Sequence, residues 1–328
     1  MYEPLTGAGR AIFATLAIAS GSCVAADWRP ERNIEIIVGT APGSNQDLTA
    51  RRMHKAWQDQ KLIPVPQIIS NKPGAGGELG WTYLARFSAD GHYLAMTSPS
   101  MLSNQLLGKS RLTLADVTPL ALLVREYETF SVKGDHAFKS LNDLSERLRK
   151  DPASVTFGFG VATGNAQHVT GALYGKALGV DARKMKMVVF NASAEAMTTV
   201  MGGHVDVLIT STSVIEPPVR AGQLRVLAVA APARLAGIFS GVPTFKESGV
   251  DLVFSNWNGV VGTKGLTPLQ IAYWDGIFAR TTANPEWQRT MAEQQQDATY
   301  LDSQAMKGYM EREREQYRAS LLELGLIK

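Results

Sequence analysis

Short apolar runs alternate with longer stretches in which apolar residues recur at helical spacing, over nearly the whole chain. Ten runs rich in Val, Ile and Leu predict strands: Ile34–Val38, Pro66–Ile69, Tyr93–Met96, Leu120–Val124, Val155–Phe159, Met187–Phe190, Val205–Ile209, Leu224–Ala230, Val253–Trp257 and Val260–Gly262. Such runs are typical of strands that are covered on both faces of a sheet. Because helical patterns lie between them, the sequence predicts an α/β fold with largely parallel sheets.

Helix ends are also visible in the pattern. The stretch DLTARRMHKAWQDQ begins at Asp47, which is well placed to cap the helix. In KSLNDLSERLRKD, Ser140 is a good N-cap, with Asp143 three residues further on. The last helical pattern is long and charged on one face, and we expect it to end at Gly325.

Two Gly/Pro turns follow predicted strands and precede helical patterns. The first is GTAPGSNQD, Gly39–Asp47, and the second is SNKPGAGGELG, Ser70–Gly80. In an open α/β sheet, ligands bind beyond the carboxyl ends of strands, where helix N-termini present free N–H groups. We expect four glycines to leave backbone amides uncovered: Gly43, Gly74, Gly76 and Gly77. These turns suit a carboxylate, a phosphate or a sulfate, although such turns are common and either one alone fits ordinary turn chemistry.

Two further strand ends have the same form. The strand Val155–Phe159 leads into residues 160–165 and then into a helix that contains His168. The strand Val205–Ile209 leads into the small polar residues TSTS. Four strand ends that offer small polar residues to one crevice are better evidence for a binding site than any single turn.

Composition restricts the class of protein. With 328 residues, 45% hydrophobic and 19% charged, the chain is typical of a globular protein, usually of two domains. The net charge of +3 is dispersed, with no basic run, so a nucleic-acid partner is not expected. Cys23 is the only cysteine, which excludes an internal disulfide.

The N-terminus resembles an export signal. Arg10 precedes the apolar stretch AIFATLAIASGSCVA, which is too short to span a bilayer and is followed by small residues. We expect residues 1–26 to be a signal peptide cleaved after Ala25 or Ala26, with a retained anchor helix as the alternative. Lipid anchoring at Cys23 is not expected, because Ser20 stands where a lipobox requires Leu.

Residue patterns for catalysis or cofactors are weak. The five histidines are scattered, with no metal-ligand spacing, and GFGVATG departs from the dinucleotide pattern by one position. SNQLLGKS, Ser103–Ser110, lacks the first glycine of a phosphate loop, and no G-x-S-x-G motif occurs. His168 on a helix face is more typical of a packed histidine than of a catalyst. We therefore expect no metal, no cofactor and no enzyme, although a triad assembled from distant residues stays open.

Six segments, in this order, carry a resemblance to a known family: DWRPERNIEIIVGTAPGSNQDLTAR, NKPGAGGELGWTYLARFSADGHYLAM, FGFGVATGNAQHVTGAL, AMTTVMGGHVDVLITS, VRAGQLRVLAVAAPARL and GVPTFKESGV…NWNGVVGTKGLTP. The chain resembles the Bug family, the periplasmic solute-binding proteins of tripartite tricarboxylate transporters, over nearly all of its mature length. The resemblance implies a type II periplasmic-binding-protein fold, with two α/β lobes and a ligand cleft between them. By analogy the first lobe comprises residues 27–124 and 231–328, and the second comprises residues 125–230.

The same resemblance implies a function and a site. The protein would be a periplasmic monomer that captures a small organic carboxylate and delivers it to membrane transporter subunits, or alternatively to a sensor kinase or a partner enzyme. The ligand-binding residues carried over are Gly43, Ser44, Asn45 and Asp47 in the first turn, Gly74, Ala75, Gly76 and Gly77 in the second, Thr163, Asn165 and His168 in the third, and Thr210 and Ser211 in the fourth.

The first turn departs from the family pattern. The family usually has A-P-G-G-G-(Thr/Ser)-D, whereas here Ser44, Asn45 and Gln46 follow Gly43. Asn tolerates positive φ, so the backbone path is compatible with this change. Two interpretations are open: the new side chains bond to their own backbone, or Ser44 and Asn45 face the cleft and select the ligand. Thr210 stands where amino-acid-binding members commonly have an aspartate, which argues weakly against an amino-acid ligand.

Overall fold

The computed structural model describes residues 1–2, 27–323 and 325–328. Residues 3–26 of the predicted signal peptide, Cys23 included, lie outside the described residues. The described part contains nine strands: β1 (Ile34–Val38), β2 (Gln67–Asn71), β3 (Tyr93–Thr97), β4 (Val117–Lys133), β5 (Thr156–Gly160), β6 (Lys186–Phe190), β7 (Val207–Ser211), β8 (Leu224–Val229) and β9 (Ser255–Thr263). It also contains ten α-helices: α1 (Asn45–Asp59), α2 (Glu78–Leu84), α3 (Pro99–Leu106), α4 (Leu141–Lys150), α5 (Ala166–Ala177), α6 (Ser193–Met201), α7 (Thr212–Arg220), α8 (Pro268–Ala283), α9 (Pro285–Glu293) and α10 (Ser303–Glu323).

The strands form two parallel groups around an antiparallel centre. The order is β2-β1-β3-β9-β4-β7-β5-β6, and β8 pairs with β4 outside this path. Strands β1, β2 and β3 are mutually parallel, as are β5, β6 and β7. Strand β9 is antiparallel to β3 and β4, and β4 is antiparallel to β7 and β8. The expectation of parallel sheets is therefore right for the outer strands and wrong for the central ones.

Strand β4 connects the two halves of the molecule. Its residues 117–127 pair with β9, and its residues 128–133 pair with β7 and β8. We use the term first lobe for β1–β3, β9 and the start of β4 with helices α1–α3 and α8–α10. The second lobe is β5–β8 and the end of β4 with helices α4–α7. The apolar pattern predicted only Leu120–Val124 of this strand, because buried polar residues such as Glu126 and Thr129 interrupt the hydrophobic run.

Strand β9 was predicted as two shorter strands. The structure joins them over Asn258 and Gly259, which the hydrophobic pattern assigned to a break. Asn258 is only 1% exposed and donates a hydrogen bond from Nδ2 to Asn45 Oδ1 at 2.7 Å. A hydrogen-bonded amide is compatible with a buried strand, which a pattern based on apolarity does not detect.

Each lobe has its own aromatic core. In the first lobe Trp57 and Trp274 are buried with ring centroids 5.9 Å apart, and Trp57 Nε1 donates to Thr281 Oγ1 at 2.8 Å. In the second lobe Phe130 and Tyr174 meet edge to face at 4.9 Å. Burying a large apolar side chain stabilises a fold by roughly 1.5–3 kcal/mol, so each lobe has a stable core on which to mount a site.

Helix ends agree with the sequence in two places and differ in a third. Ser140 caps α4 in a capping box with Asp143, as predicted, and Gly325 adopts φ +65° just after α10. Asp47, however, does not cap α1: the N-cap is Ser44, whose hydroxyl accepts the Asp47 N–H at 3.4 Å. A hydroxyl in that position satisfies an amide that the helix itself leaves free.

Asp47 instead holds the first turn together from inside the helix. Its carboxylate accepts the Gly43 N–H at 2.9 Å, Arg51 Nε at 2.8 Å and Asn71 Nδ2 at 2.9 Å. Burial raises the pKa of Asp47, but the hydrogen bonds from Arg51, Gly43 and Asn71 outweigh it and hold the pKa below its ordinary value. The aspartate therefore fixes the turn between β1 and α1 against β2.

Candidate functional site

A polar cavity of about 50 Å³ lies where the two lobes meet. The residues that line it come from both lobes: Thr40, Ser44, Asn45, Gln46, Gly76, Ser98, Ser100, Val161, Asn165, Ala166, Gln167, Ser193, Asn256 and Asn258. Among these described lining residues none carries a charged side chain. An anion in this cavity would therefore meet amide and hydroxyl groups and not a lysine or an arginine.

Helix N-termini of the first lobe form one wall. Ser44 is the N-cap of α1, and Asn45 and Gln46 are in its first turn. Ser98 caps α3 in the same way, with its side chain accepting the Ser100 N–H. Because a helix N-terminus carries a partial positive charge and free N–H groups, this wall favours a negatively charged group.

The N-terminus of α5 forms the facing wall in the second lobe. Asn165 caps the helix, since its Oδ1 accepts the His168 N–H at 3.0 Å, and its Nδ2 donates to the Gly160 carbonyl at 2.7 Å. Gln167 is held on both sides: Oε1 accepts the Gly160 N–H at 2.8 Å, and Nε2 donates to Ser193 Oγ at 3.3 Å. These two amides are fixed in place before any ligand arrives.

Asn45 joins the two lobes at the edge of the cavity. Its Nδ2 donates to Ser211 Oγ at 2.9 Å and to Glu126, and its Oδ1 accepts from Asn258 Nδ2 at 2.7 Å. An amide has two N–H groups and an oxygen with two lone pairs, so these contacts use both of its donors. Asn45 faces the cleft, and its side chain is engaged with protein.

Glu126 lies beneath Asn45 on β4. Its Oε1 accepts from Asn45 and from Asn256 Nδ2 at 3.0 Å, and its Oε2 accepts from Ser213 Oγ at 3.1 Å and Gln296 Nε2 at 3.0 Å. Burial raises the pKa of Glu126, and the hydrogen bonds from Gln296 and Ser213 offset part of that effect. Four donors on two oxygens match the acceptor capacity of an ionised carboxylate.

Glu128, two residues further along β4, has the opposite environment. It is fully buried, and neither carboxyl oxygen has a hydrogen-bond partner within the described chain. Burial, with a smaller effect of the neighbouring Glu126, raises the pKa of Glu128 well above its ordinary value. The environment therefore favours the neutral acid at this position.

The lobes touch on several sides of the cavity. Lys109 Nζ donates to the Thr163 carbonyl at 3.0 Å, and Asn45 bonds to Ser211. A methyl group added at Gly76 would lie 2.8 Å from the Ala162 Cβ. The structure is thus a closed arrangement of the two lobes.

Only some of the residues predicted to bind ligand reach the cavity in the described chain. Those that line it are Ser44, Asn45, Gly76 and Asn165. Ser211 is next to it through its bond to Asn45. Ala75 and Thr163 line, together with Gly76, an adjoining groove of about 330 Å³. Those that line neither are Gly43, Asp47, Gly74, Gly77, His168, Thr210 and Ser211.

Two backbone amides that we expected to be uncovered have partners inside their own turns. The Gly43 N–H donates to Asp47 Oδ2 at 2.9 Å, and the Gly77 N–H donates to the Gly74 carbonyl at 3.0 Å. Thr210 is fully buried, and its hydroxyl accepts from Gln167 Nε2 at 3.4 Å. These residues support the geometry of the turns from behind the cavity.

His168 is a packed histidine. Its ring stacks on Phe159 with centroids 5.1 Å apart, and its Nδ1 accepts the Gly164 N–H at 2.9 Å. Burial, with a smaller contribution from Lys109, lowers the pKa of His168 to about 4. The ring is therefore neutral near pH 7 and positions the loop before α5.

Several lining residues were not predicted. Ser98 and Ser100 follow β3, and Ser193 follows β6, so the strand-end rule that identified the other turns would also have found them. Asn256 and Asn258 lie inside β9, where no feature of the sequence marks them as cavity residues. Gln46 was noted as a departure from the family pattern, although it was not assigned to the site.

Two α/β lobes joined by a shared strand, with an uncharged polar cavity at their junction, define a solute-binding protein of the periplasmic type. Residues 50–326 match the profile described as "Tripartite tricarboxylate transporter family receptor", and the chain belongs to this family. Protein BugT of Bordetella pertussis is 29% identical over 262 residues, which cover 78% of this chain and 77% of BugT. The resemblance to Bug proteins is thereby confirmed.

Solved structures confirm the two-lobed fold. The chain superposes on R. palustris Rpa4515 with adipate with a TM-score of 0.83 at 23% identity, covering 91% of this chain and 99% of that one. MatC (Rpa3494) from Rhodopseudomonas palustris with bound malate gives a TM-score of 0.79 at 20% identity, covering 89% and 99%. The family consists of binding proteins and not of enzymes. Over the described ranges, no helix is long and apolar enough to cross a bilayer.

Proposed function

We propose that the protein is an extracytoplasmic receptor that captures a small organic carboxylate in the cavity between its lobes. The observation that carries this proposal is the cavity without charged lining residues. The N-terminus of α1 borders it from the first lobe, and the N-terminus of α5 borders it from the second. MatC with malate and Rpa4515 with adipate share the fold and support the same ligand class.

Neutral donors suffice to hold such a ligand. A hydrogen bond between a neutral donor and a charged acceptor contributes about 1.5–3 kcal/mol, and micromolar affinity corresponds to about 8 kcal/mol, so about three to five such bonds reach it when the donors are already in place. Ser44, Asn165 and Gln167 have fixed orientations through bonds to their own lobes. The wall is preorganised, so little of the binding energy is lost in ordering it.

We further propose that ligand entry requires the lobes to separate. The lobe boundaries would lie after residues 124 and 230, so that one crossing is within β4 and the other follows β8. A cavity of about 50 Å³ is smaller than a six-carbon dicarboxylate requires. Opening about these crossings would admit the ligand, and contacts from both lobes would then retain it.

Delivery of the ligand to a tripartite tricarboxylate-type transporter is part of the proposal, as is export by a signal peptide at residues 1–26 and a monomeric state. Family membership supports a transporter as partner. Cross-linking of the ligand-loaded protein in membranes should capture transporter subunits. Capture of a sensor kinase or of an enzyme would overturn this part and leave carboxylate binding intact.

The ligand class is tested by thermal shift on protein that has been unfolded and refolded to remove carried-over ligand. Mono-, di- and aromatic carboxylates are compared with their uncharged amides. A ligand that binds the native state raises the melting temperature by mass action, so at least one carboxylate should do so while its amide does not. No shift with any carboxylate at millimolar concentration would contradict the proposed function.

A further inference from the structure

Gln46 is the lining amide whose side chain has no hydrogen-bond partner in the described chain. It is 5% exposed, it lines the cavity, and its Oε1 is buried and unpartnered. Buried polar side chains are nearly always hydrogen-bonded, so an exception at a binding cavity points to a partner supplied from outside the chain.

The other amides of the cavity differ from Gln46 in this respect. Asn45, Asn165 and Gln167 are each bonded through both ends of the amide. Asn256 and Asn258 donate to Glu126 and to Asn45. Five lining amides thus build the wall, and the sixth, Gln46, is left to contact what enters.

The backbone of Gln46 is held firmly in this position. Gln46 is the second residue of α1, between the N-cap Ser44 and Asp47. Asp47 ties this turn to Gly43, Arg51 and Asn71. A side chain mounted on such a fixed turn has few orientations available, which makes it suitable for selecting a ligand.

The chemistry of an amide restricts what that ligand can offer. A carboxylate only accepts hydrogen bonds, so it pairs with the NH₂ of Gln46 and leaves the oxygen without a donor. A hydroxyl group both donates and accepts, so it can pair with either end of the amide. The buried atom of Gln46 without a partner is Oε1, which is an acceptor, so the ligand group that pairs with it has to be a donor.

We propose that Gln46 contacts a hydroxyl group of the ligand, and that this receptor selects hydroxycarboxylates over carboxylates of the same length without the hydroxyl. The inference rests on the proposed function and adds the class of substrate, a hydroxycarboxylate, and the residue that recognises its hydroxyl group.

The test uses matched ligand pairs that differ by one hydroxyl: glycolate and acetate, malate and succinate, citrate and tricarballylate. Calorimetric titration of refolded wild-type protein should show the hydroxylated member of at least one pair binding tenfold to a hundredfold more tightly. Sites built to bond a hydroxyl discriminate strongly against analogues that lack it, because their own polar group is then left unpaired.

Gln46→Met removes the amide and keeps a side chain of similar length. In this variant the preference should fall to about threefold or less, through weaker binding of the hydroxylated ligand. Gln58→Met, on the exposed side of the same helix, is the matched control and should keep the wild-type preference. The unliganded melting temperature of Gln46→Met should not fall, because the substitution removes a buried group that has no partner.

The possible results separate the two proposals. Equal affinities for both members of every pair, or an unchanged preference in Gln46→Met, would overturn the role of Gln46 and leave carboxylate binding standing. Absence of binding by every carboxylate in wild-type protein would overturn both.

Discussion

Asn45 is in the first turn of α1, and its side-chain amide reaches three other elements. It contacts Glu126 on β4, Ser211 at the end of β7 and Asn258 on β9. Of the two interpretations of the altered first turn, bonding to its own backbone describes Ser44, and facing the cleft describes both Ser44 and Asn45. Ser44 lines the cavity and also caps its own helix, whereas Asn45 faces the cleft and connects the lobes.

Replacing Asn45 should destabilise the unliganded protein. Asn45→Gly removes one of the four donors to the buried Glu126 carboxylate, and an unmet buried group costs about 1–3 kcal/mol. We expect a lower midpoint in urea unfolding for this variant. Ser44→Gly is the control, since glycine replaces an N-cap at a cost of roughly a few tenths of a kcal/mol.

Equal unfolding midpoints for Asn45→Gly and Ser44→Gly would show that the bonds of Asn45 do not contribute to stability in solution.

At the scale of elements, the strand–helix alternation and the turns after β1, β2, β5 and β7 were predictable from sequence. Runs of apolar residues indicate buried strands, and turns rich in Gly and Pro indicate where strands end. The polar half of β4 was not predictable, because Glu126 and Glu128 are buried by contacts with distant segments such as Gln296. Asn256 and Asn258 were missed for the same reason, since their partners are far away in the sequence.

Strand β4 carries a pH-dependent contribution to stability at Glu128. The folded-state pKa of Glu128 is raised, so the folded protein retains a proton that the unfolded chain releases. The contribution of Glu128 to the free energy of unfolding is fully present below the pKa that this group has in the unfolded chain. As the pH rises from that value toward the pKa in the folded protein, the contribution is lost by about 1.4 kcal/mol per pH unit.

Glu128→Gln keeps the shape of the side chain and removes the ionisation. The variant should become more stable than wild type as pH rises above about 5, with the difference growing with pH. Urea unfolding from pH 5 to pH 8 measures this difference. Glu126→Gln is the matched variant on the same strand and should be destabilised, because an NH₂ then faces the donors of Glu126. Parallel stability–pH curves for Glu128→Gln and wild type would contradict the assignment.

At the scale of the whole molecule, two lobes with separate cores meet around one cavity. Contacts between the turns after β2 and β5 hold the closed arrangement, including the close approach of Gly76 to Ala162. The two-lobed architecture followed from the family resemblance, whereas the close approach at Gly76 depends on the packing of residues far apart in the sequence.

Gly76→Ala should hold the lobes apart. The added methyl group would lie 2.8 Å from the Ala162 Cβ, closer than such atoms approach. Gly43→Ala is the control: it has a similar positive φ, +79° against +68°, and its methyl group meets nothing within 4 Å. Small-angle scattering should show a larger radius for Gly76→Ala with ligand than for the control. Identical radii would mean that closure does not require this contact.

The central claim is that the cavity between the lobes binds a small organic carboxylate. Calorimetric titration of refolded protein with a carboxylate panel tests it most directly when wild type is compared with Ala166→Leu and Ala177→Leu. Ala166 lines the cavity at the start of α5, where leucine would occupy the space, and Ala177 is exposed at the end of the same helix. We predict saturable one-to-one binding to wild type and Ala177→Leu, and its loss in Ala166→Leu, whose cooperative thermal unfolding would show that the variant is folded. Undiminished binding by Ala166→Leu, or no binding by wild type, would contradict the account.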